Sequence, residues 1–481
     1  MKLPTIGLEP DEVRRRLEEV HALDLDWRTG RTYAYVYDAG SDVEALGRDA
    51  YARFLFQNAL DPTAFPSAMH LENDLVAIAA EHLGGGDETV GTFTSGGTES
   101  IMLAVKAARD HARAHRPGVT APEMILPVTA HAAFHKAAEY LGVKVVLTPV
   151  DARTFKADVA AVAAAITEQT ILIVGSAPSY PHGVIDPIAD LGALAAAKGL
   201  LLHVDACVGG WLLPYYRRLG ASVPDFDLSV PGVTSLSVDL HKYAFAPKGA
   251  SIVLFRDAGL RRAAYFTCTD WAGYAVVNPA VQSSKSAGPV AAAWAVLHGV
   301  GDQGFEDLAR RTLEGTRAFV EGVKAIPGLE VLGQPDFCLV AVASREVSVF
   351  HVADELNERG WYVQPQLSHP STPASIHLCL GPKNSGHVER LLVALREAVE
   401  AARALPSGHI AQAVAAFAQA PGGLAAALPQ VLEAAGLGSG ELPKRLAPVN
   451  ELLDALPAAL RKELLTDFVG GLFTPRAAVT A

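Results

Sequence analysis

The pattern of hydrophobic and polar positions changes several times along the chain. Residues 1–60 are mixed and mostly polar, and one helical repeat at 10–23 places Val13, Leu17 and Val20 on a single apolar stripe. From about residue 70 to 260, helix-like segments alternate with short β-branched runs. This alternation predicts parallel strands that are joined by helical crossovers and buried on both faces. The predicted strands are 143–149, 170–175, 200–204, 235–238 and 251–255.

A second pattern begins near Gly301. A long helical repeat is followed by four strand-like runs and two further helices, which predicts a smaller α+β domain. The predicted helices are 305–326, 347–359 and 385–405, and the predicted strands are 329–332, 338–343, 362–366 and 375–380. After Pro406 the chain is rich in Ala, Leu and Pro, which indicates short helices. The predicted units are therefore an N-terminal segment 1–60, a large domain 61–303, a small domain 304–405 and a helical appendage 406–481.

Composition narrows the class of protein. Half of the 481 residues are hydrophobic and the formal net charge is −12, which argues against a surface that binds nucleic acid or an anionic membrane. The first residues do not resemble a secretory signal, and no apolar run reaches the roughly 20 residues that span a bilayer. Four separated cysteines form no CxxC pair, so no metal site is predicted. We expect a cytoplasmic protein with no membrane anchor.

The segment 91–101 is a turn of small residues that opens a helix. Glycines allow a ligand to approach the backbone closely, and the free N–H groups of a first helical turn bind anions. Gly97 and Thr98 are therefore candidates for binding a phosphate. The alternative is a tight turn in which Thr98 caps the helix.

Three further residues carry chemistry in the neighbouring segments. Asp205 ends an apolar strand, where it can pair with a protonated pyridine nitrogen. Lys242 follows another strand, in the run Ser-Val-Asp-Leu-His-Lys-Tyr at 237–243, and can form a Schiff base with an aldehyde. A lysine near a pyridinium and a phosphate has a lowered pKa. His131 opens a helix and can stack on an aromatic ring, although such a histidine is also common as a helix cap.

Together these segments resemble the sphingosine-1-phosphate lyases, in the pyridoxal phosphate (PLP)-dependent group II decarboxylase family. The resemblance runs from residue 7 to about 400. It includes Thr-Ser-Gly-Gly-Thr-Glu-Ser at 94–100, Pro-His-Gly-Val-Ile-Asp-Pro at 181–187 and His-Lys-Tyr-Ala-Phe-Ala-Pro-Lys-Gly at 241–249. It implies the α/β type I fold of aspartate aminotransferase, with a large, mostly parallel sheet domain and a smaller α+β C-terminal domain.

The resemblance also implies roles for individual residues. Lys242 carries PLP, Asp205 pairs with its ring nitrogen and His131 stacks on its ring. The cofactor phosphate is bound by Gly97, Thr98 and His241, and by Ser284 of a neighbouring subunit, so a homodimer with shared active sites is implied. Tyr37 and Lys248 match positions that bind a substrate phosphate, and Tyr180 is a candidate for proton transfer.

The implied reaction is a retro-aldol cleavage between Cα and Cβ of a β-hydroxy amine. Two departures from the lyase pattern fall near the substrate. Asp61 stands where the lyases have a histidine, and a negative charge there would repel a phosphate if it pointed the same way. Lys285 replaces an arginine and loses its bidentate fork. We therefore expect intact PLP binding with an altered small-molecule amine substrate.

Two other functions stay open. An amino acid decarboxylase on the same scaffold differs only in which bond at Cα is broken, and sequence does not determine that geometry. A non-catalytic PLP-binding protein is the third possibility. The presence of Lys242, Asp205, His131 and His241 together argues against it.

Overall fold

A seven-stranded sheet forms the centre of the large domain. The computed structural model describes residues 3–418, Glu433 and residues 443–475. The strand order is β1-β7-β6-β5-β4-β2-β3, and all neighbours are parallel except those of β7. The strands are β1 Val90–Thr94, β2 Glu123–Pro127, β3 Lys144–Thr148, β4 Thr170–Ser176, β5 Leu201–Asp205, β6 Val233–Val238 and β7 Ser251–Phe255. Strands β2, β4 and β7 are buried along their whole length, as a covered sheet requires.

Strand β7, at the predicted strand 251–255, departs from the parallel direction expected for the strands of this region. It runs antiparallel to both β1 and β6. Residues 239–250 between β6 and β7 contain no helix. A parallel connection needs a longer crossover, so the chain turns back beside β6. This loop carries Lys242 and Lys248, and the reversal places both at the same edge of the sheet.

Helices cover both faces of this sheet, and the mostly parallel large domain is as predicted. The helices up to the domain boundary are α1 Pro10–His21, α2 Ser41–Arg53, α3 Pro66–His82, α4 Gly97–His115, α5 Ala133–Leu141, α6 Val159–Ala165, α7 Ile188–Lys198, α8 Leu213–Arg218 and α9 Ala258–Ala264. A short hairpin of β8 Phe266–Cys268 and β9 Val276–Asn278 follows α9.

The small domain is a four-stranded antiparallel sheet with helices, as predicted. The strand order is β10-β11-β13-β12. The strands are β10 Leu329–Val331, β11 Leu339–Ser344, β12 Gln364–Gln366 and β13 Ser375–Cys379, and the helices are α11 Val349–Glu358 and α12 Val388–Arg403. Helix α10, Gly288–Lys324, crosses the predicted boundary at 303. It is kinked at Gly301, whose φ of 63° is left-handed, so the boundary lies within a bent helix.

The N-terminal segment packs on the small domain. Thr32 forms a β-bridge with Tyr362, and the Tyr33 hydroxyl donates to the carbonyl of Asn384 at 2.9 Å. Helix α1 forms as predicted, but no residue in it is buried. Its apolar stripe therefore faces away from this chain's own core.

The C-terminal appendage is helical where it is described. It contains α13 His409–Ala418, α14 Ala447–Ala455 and α15 Ala458–Leu472; residues 419–432 and 434–442 of the predicted appendage lie outside the described residues. Arg445 pairs with Glu355 and Glu358 of α11, and Asp354 accepts hydrogen bonds from the first amides of α14. No helix in the described parts of the chain has the length and hydropathy needed to cross a bilayer.

Candidate active site

A cavity of about 370 Å³ opens at the carboxyl ends of the parallel strands. Ligands bind at this edge in open α/β sheets because the loops there diverge. Seven predicted site residues line this cavity: Gly97, Thr98, His131, Tyr180, Asp205, His241 and Lys242. These residues come from segments spread over about a third of the chain, and the sheet brings them together.

Lys242 lies in the loop between β6 and β7. Its Nζ is 3.0 Å from Oδ2 of Asp239, a carboxylate that is only 2% exposed. Burial disfavours the charged amine, but Asp239, with smaller effects from Cys207 and Asp205, outweighs it and raises the pKa of Lys242. From the sequence we expected a lowered pKa, caused by a pyridinium and a phosphate. The protein's own groups act in the opposite direction.

Asp205 ends β5, next to the end of β6. Its carboxylate accepts a hydrogen bond from the amide of Cys207 at 3.1 Å and lies 3.4 Å from the hydroxyl of Ser237. Behind it, His203 is hydrogen-bonded to Ser235 and Ser237, and burial lowers the pKa of His203 to about 4. A neutral imidazole therefore supports the serine that holds Asp205 in place.

The phosphate turn precedes α4, whose first residue is Gly97. The amides of Gly97 and Thr98 are free because the first N–H groups of a helix have no partner within it. A Cβ at Gly97 would lie 2.8 Å from the Sγ of Cys207, so only glycine fits there. The alternative role for Thr98 is wrong, since Gly96 occupies the N-cap position and Thr98 lies inside the helix.

Two histidines line the cavity. His131 precedes α5, and its Nδ1 accepts a hydrogen bond from the amide of Ala133 at 3.1 Å. His241 Nδ1 accepts from the amide of Ala250 at 3.2 Å, so its proton is on Nε2, which faces Asp239 at 3.6 Å. Burial lowers the pKa of His241, so this ring donates as a neutral imidazole.

Tyr180 reaches the cavity from the loop after β4. Its hydroxyl donates to Oε1 of Gln364 on β12 at 2.9 Å, and its carbonyl accepts from Nε2 of His377 on β13 at 2.8 Å. Burial, together with Cys379, raises the pKa of Tyr180, so the hydroxyl keeps its proton. The small domain therefore orients this side chain.

A second cavity of about 690 Å³ adjoins the first, and His241 lines both. Tyr37 and Lys248 line it, with the Lys248 ammonium 4.5 Å from the centre of the Tyr37 ring. Lys248 Nζ also donates to the carbonyls of Tyr35 and His241. Burial and the charge of Lys242 lower the pKa of Lys248 to about 8. The two predicted substrate residues are therefore adjacent, next to the cofactor cavity.

Three predicted residues lie outside both cavities in this chain. The Asp61 carboxylate accepts from the amide and hydroxyl of Thr63, at 2.8 and 2.6 Å, and so folds back on its own loop. Lys285 lies 3.8 Å from Glu72. Ser284 is exposed, on a loop that is tied to the phosphate turn because Glu99 accepts from the amide of Val281. Their roles in binding stay predictions.

Two residues at the site were not predicted from the sequence. Asp239 lies three positions before Lys242 in the run that was singled out, and an acidic residue this close to a candidate Schiff-base lysine was a usable signal. Gln364 lies in another domain, 184 positions after its partner Tyr180. No local pattern connects these two residues.

The residues of the first cavity fit PLP. Gly97 and Thr98, at the start of α4, line the cavity where free helix amides can hold a phosphate, and the buried Oδ1 of Asp239 has no hydrogen-bond partner among the described residues. The amine of Lys242, the carboxylate of Asp205 and the imidazole of His131 line the same cavity. These groups suit the aldehyde, the pyridine nitrogen and the aromatic ring of PLP, respectively. Within the described ranges, no three His, Cys, Asp or Glu side chains are grouped as metal ligands.

Comparison with known families agrees with this geometry. Residues 23–344 match the family described as pyridoxal-dependent decarboxylase conserved domain. Residues 394–471 match the family described as pyridoxal-dependent enzyme, C-terminal putative HTH domain, which covers most of the appendage.

Individual relatives are also lyases and decarboxylases by name. A sphingosine-1-phosphate lyase of Oryza sativa is 41% identical over 413 residues, which cover 84% of this chain and 75% of the relative. A probable L-aspartate decarboxylase of Pyrococcus furiosus is 33% identical, over 75% of this chain and 94% of the relative.

The structure of a sphingosine-1-phosphate lyase from Burkholderia pseudomallei superposes with a TM-score of 0.80 at 38% identity, covering 87% of this chain and 96% of that one. The predicted type I PLP-enzyme fold, cofactor and enzyme class are thereby confirmed. The chain belongs to the PLP-dependent group II decarboxylase family, and within it is a sphingosine-1-phosphate lyase-like enzyme that uses PLP.

Proposed function

We propose that the enzyme cleaves the Cα–Cβ bond of a phosphorylated β-hydroxy amine, such as a sphingoid base phosphate, and releases an aldehyde and an aminoalkyl phosphate. The names of the Oryza and Burkholderia relatives support this substrate class. The geometry supports it independently, through the relative positions of two lysines.

The arrangement of Lys242 and Lys248 around His241 is the observation that carries the proposal. Lys242 lines the cofactor cavity, Lys248 lines the neighbouring cavity, and His241 lines both. A substrate whose amine reacts at the first cavity can therefore extend an anionic group toward Lys248. An ammonium is a strong partner for phosphate even though it acts as a point charge.

Proton movement can be assigned to the protein's own groups. PLP, when bound, supplies an electron sink for the pair of electrons left on Cα. The amine of Lys242, once displaced by the substrate, accepts the proton of the Cβ hydroxyl and returns it to Cα, so no net proton is consumed. Tyr180 keeps its proton because burial raises its pKa, and it acts as a hydrogen-bond donor.

Asp61 does not oppose a phosphate in this chain's own cavities. Its carboxylate is occupied by Thr63 and by the amide of Ala64, and these hydrogen bonds lower the pKa of Asp61. The expected repulsion depended on Asp61 pointing into the site. Its orientation within this chain removes that objection to a phosphorylated substrate.

Product analysis tests the proposal directly. Purified enzyme with PLP is given a sphingoid base phosphate, the same base without phosphate, and L-aspartate or L-glutamate, and aldehyde and carbon dioxide are both measured. We expect aldehyde from the phosphorylated base. Carbon dioxide without aldehyde would instead establish the decarboxylase, and bound PLP with no turnover would establish a non-catalytic protein.

Lys242→Ala provides the matched loss-of-function variant. It should abolish both turnover and the absorbance of lysine-bound cofactor, because Lys242 is the one lysine among the described residues that lines the cofactor cavity. Lys198→Ala, at the exposed end of α7, should leave both unchanged. Retention of the lysine-bound absorbance in Lys242→Ala would refute the cofactor assignment.

We also propose that the protein is a homodimer with shared active sites. Large apolar side chains that this chain leaves exposed support it: Val13, Leu17 and Val20 on α1, and Phe266, Trp271, Tyr274 and Val277 around the β8–β9 hairpin. Exposed apolar patches of this kind commonly mark interfaces. Sedimentation should give a dimer, and a monomer with full activity would contradict the proposal.

A further inference from the structure

Asp239 is a buried carboxylate to which the mechanism above gives no role. It follows β6, its side chain is 2% exposed, and its Oδ2 is 3.0 Å from Nζ of Lys242. The same oxygen is 3.6 Å from Nε2 of His241. Because the amide of Ala250 occupies Nδ1 of that ring, the Nε2 proton faces Asp239. One carboxylate therefore contacts the cofactor lysine and the neighbouring imidazole.

The other groups around Lys242 do not contact its amine as Asp239 does. The titratable groups that face it from the surrounding elements are Asp205, Cys207, His241, Lys248 and Cys379, and His131 and Tyr180 line the same cavity. Within the described part of the chain, Asp239 is the one carboxylate within 4.0 Å of Nζ. A buried ammonium without such a partner is strongly disfavoured.

We propose that Asp239 is the counter-ion of the cofactor lysine: it stabilises the ammonium that forms when the free amine of Lys242 takes up a proton, and it keeps the Nε2–H of His241 directed into the site. Asp239 thus acts as a positioning residue, because it works through Lys242 and His241. This role rests on Lys242 as the cofactor lysine and does not depend on the substrate.

In the reaction proposed above, Asp239 interacts with the ammonium of Lys242 in the interval between two proton transfers. The O–H bond of the Cβ hydroxyl breaks and an N–H bond forms at Nζ, while the Cα–Cβ bond breaks with its electron pair left on Cα. The N–H bond then breaks and a C–H bond forms at Cα. Asp239 stabilises the ammonium that exists between these two transfers.

Amine labelling of the full chain, freed of PLP, tests the counter-ion directly. Acetic anhydride reacts only with the neutral amine, so the labelling rate of Lys242, followed by mass spectrometry, reports its protonation against pH. In the wild type we expect the rate still to be rising at pH 10, because an ordinary lysine has a pKa of about 10.4 and Asp239 raises this one. A plateau below pH 9 would overturn the proposal without any variant.

Asp239→Asn should lower the pKa of Lys242, so that the labelling curve moves to lower pH and the labelling rate at pH 9 rises about tenfold or more. Asp239→Glu keeps the carboxylate and should restore most of the wild-type curve. Asp227→Asn is the matched control, since Asp227 is also buried but hydrogen-bonds Ser229 away from the site. An unchanged curve in Asp239→Asn would overturn the proposal.

A second readout uses the PLP-loaded enzyme. Removing the counter-ion should move the limb of the kcat profile that reports Lys242 to lower pH, whereas a purely structural role would lower kcat equally at every pH. Because the labelling needs no substrate, its failure is distinguishable from failure of the proposed lyase reaction.

Discussion

Two lysines six positions apart have opposite pKa shifts, and single neighbouring residues decide the difference. Lys242 has Asp239 at 3.0 Å, which outweighs burial and raises its pKa. Lys248 is exposed, and its partners are carbonyl oxygens and an aromatic ring, so partial desolvation and the charge of Lys242 lower its pKa to about 8. The same residue type therefore serves two roles within one loop.

The lowered pKa of Lys248 predicts how binding of an anionic substrate depends on pH. Lys248 is charged below its pKa and neutral above it, so KM for a phosphorylated substrate should rise as the pH passes upward through about 8. Kinetics between pH 6.5 and 9.5 should show the rise. In Lys248→Met, KM should be raised about tenfold or more at pH 7 with this dependence lost, since a hydrogen bond to a charged group is worth about 1.5–3 kcal/mol.

Two controls accompany that measurement. Lys248→Arg keeps the charge through this pH range and should keep a low KM at pH 9. The substrate without phosphate should show no matching rise. The same pH dependence in Lys248→Met would assign it to another group.

At the scale of elements, the start of α4 packs closely against the residues that follow β5 and β6. A methyl group at position 97 would lie 2.8 Å from Sγ of Cys207 and 2.9 Å from the Asp239 carboxylate. Gly97→Ala should therefore weaken PLP binding about tenfold or more, because overpacking at such a contact costs about 1–3 kcal/mol. Titration of the cofactor-free protein measures this.

Gly118→Ala is the matched control, since nothing lies within 4 Å of a Cβ there. It should bind PLP as the wild type does. Unchanged affinity in Gly97→Ala would show that the turn adjusts, and would contradict the close fit of the phosphate cradle.

Strands β12 and β13 of the small domain orient Tyr180. Gln364→Leu removes the acceptor of the Tyr180 hydroxyl and should lower kcat about fivefold with little change in KM, the effect of one lost hydrogen bond of about 1 kcal/mol. Tyr180→Phe should cost more, about 10–100-fold, because it removes the donor hydroxyl itself and a hydrogen bond to a charged group is worth about 1.5–3 kcal/mol. The double variant should resemble Tyr180→Phe, because Gln364 acts through that hydroxyl. Additive losses would contradict this.

At the scale of the whole molecule, the appendage is held to the small domain by charge. Arg445 pairs with Glu355 and Glu358, which lie in the last turn of α11. Arg445→Ala should lower stability by about 1–2 kcal/mol, since it removes charge-assisted hydrogen bonds from a partly buried network. Thermal unfolding and limited proteolysis near α14 should detect the loss.

Lys444→Ala is the control for that variant, because the exposed Lys444 forms no ion pair with any described residue. Its unfolding should match the wild type. If Arg445→Ala also unfolded like the wild type, the appendage would be held by apolar packing alone.

Much of this protein was determined by its sequence alone. The alternation of strands and helices followed from local patterns, because backbone geometry is a local property. The cofactor and the candidate roles of Lys242, Asp205 and Gly97 came from short motifs together with their resemblance to the lyases. The small α+β domain followed in the same way from its hydrophobic periods.

The tertiary structure decided the rest. The antiparallel direction of β7, the contact of Asp239 with Lys242, and the link from Tyr180 to Gln364 depend on which segments meet after folding. The direction of the Lys242 pKa shift and the orientation of Asp61 depend on neighbours at about 3 Å, and no pattern along the chain specifies those distances. Local sequence thus specified the chemical groups, and packing set their charges and orientations.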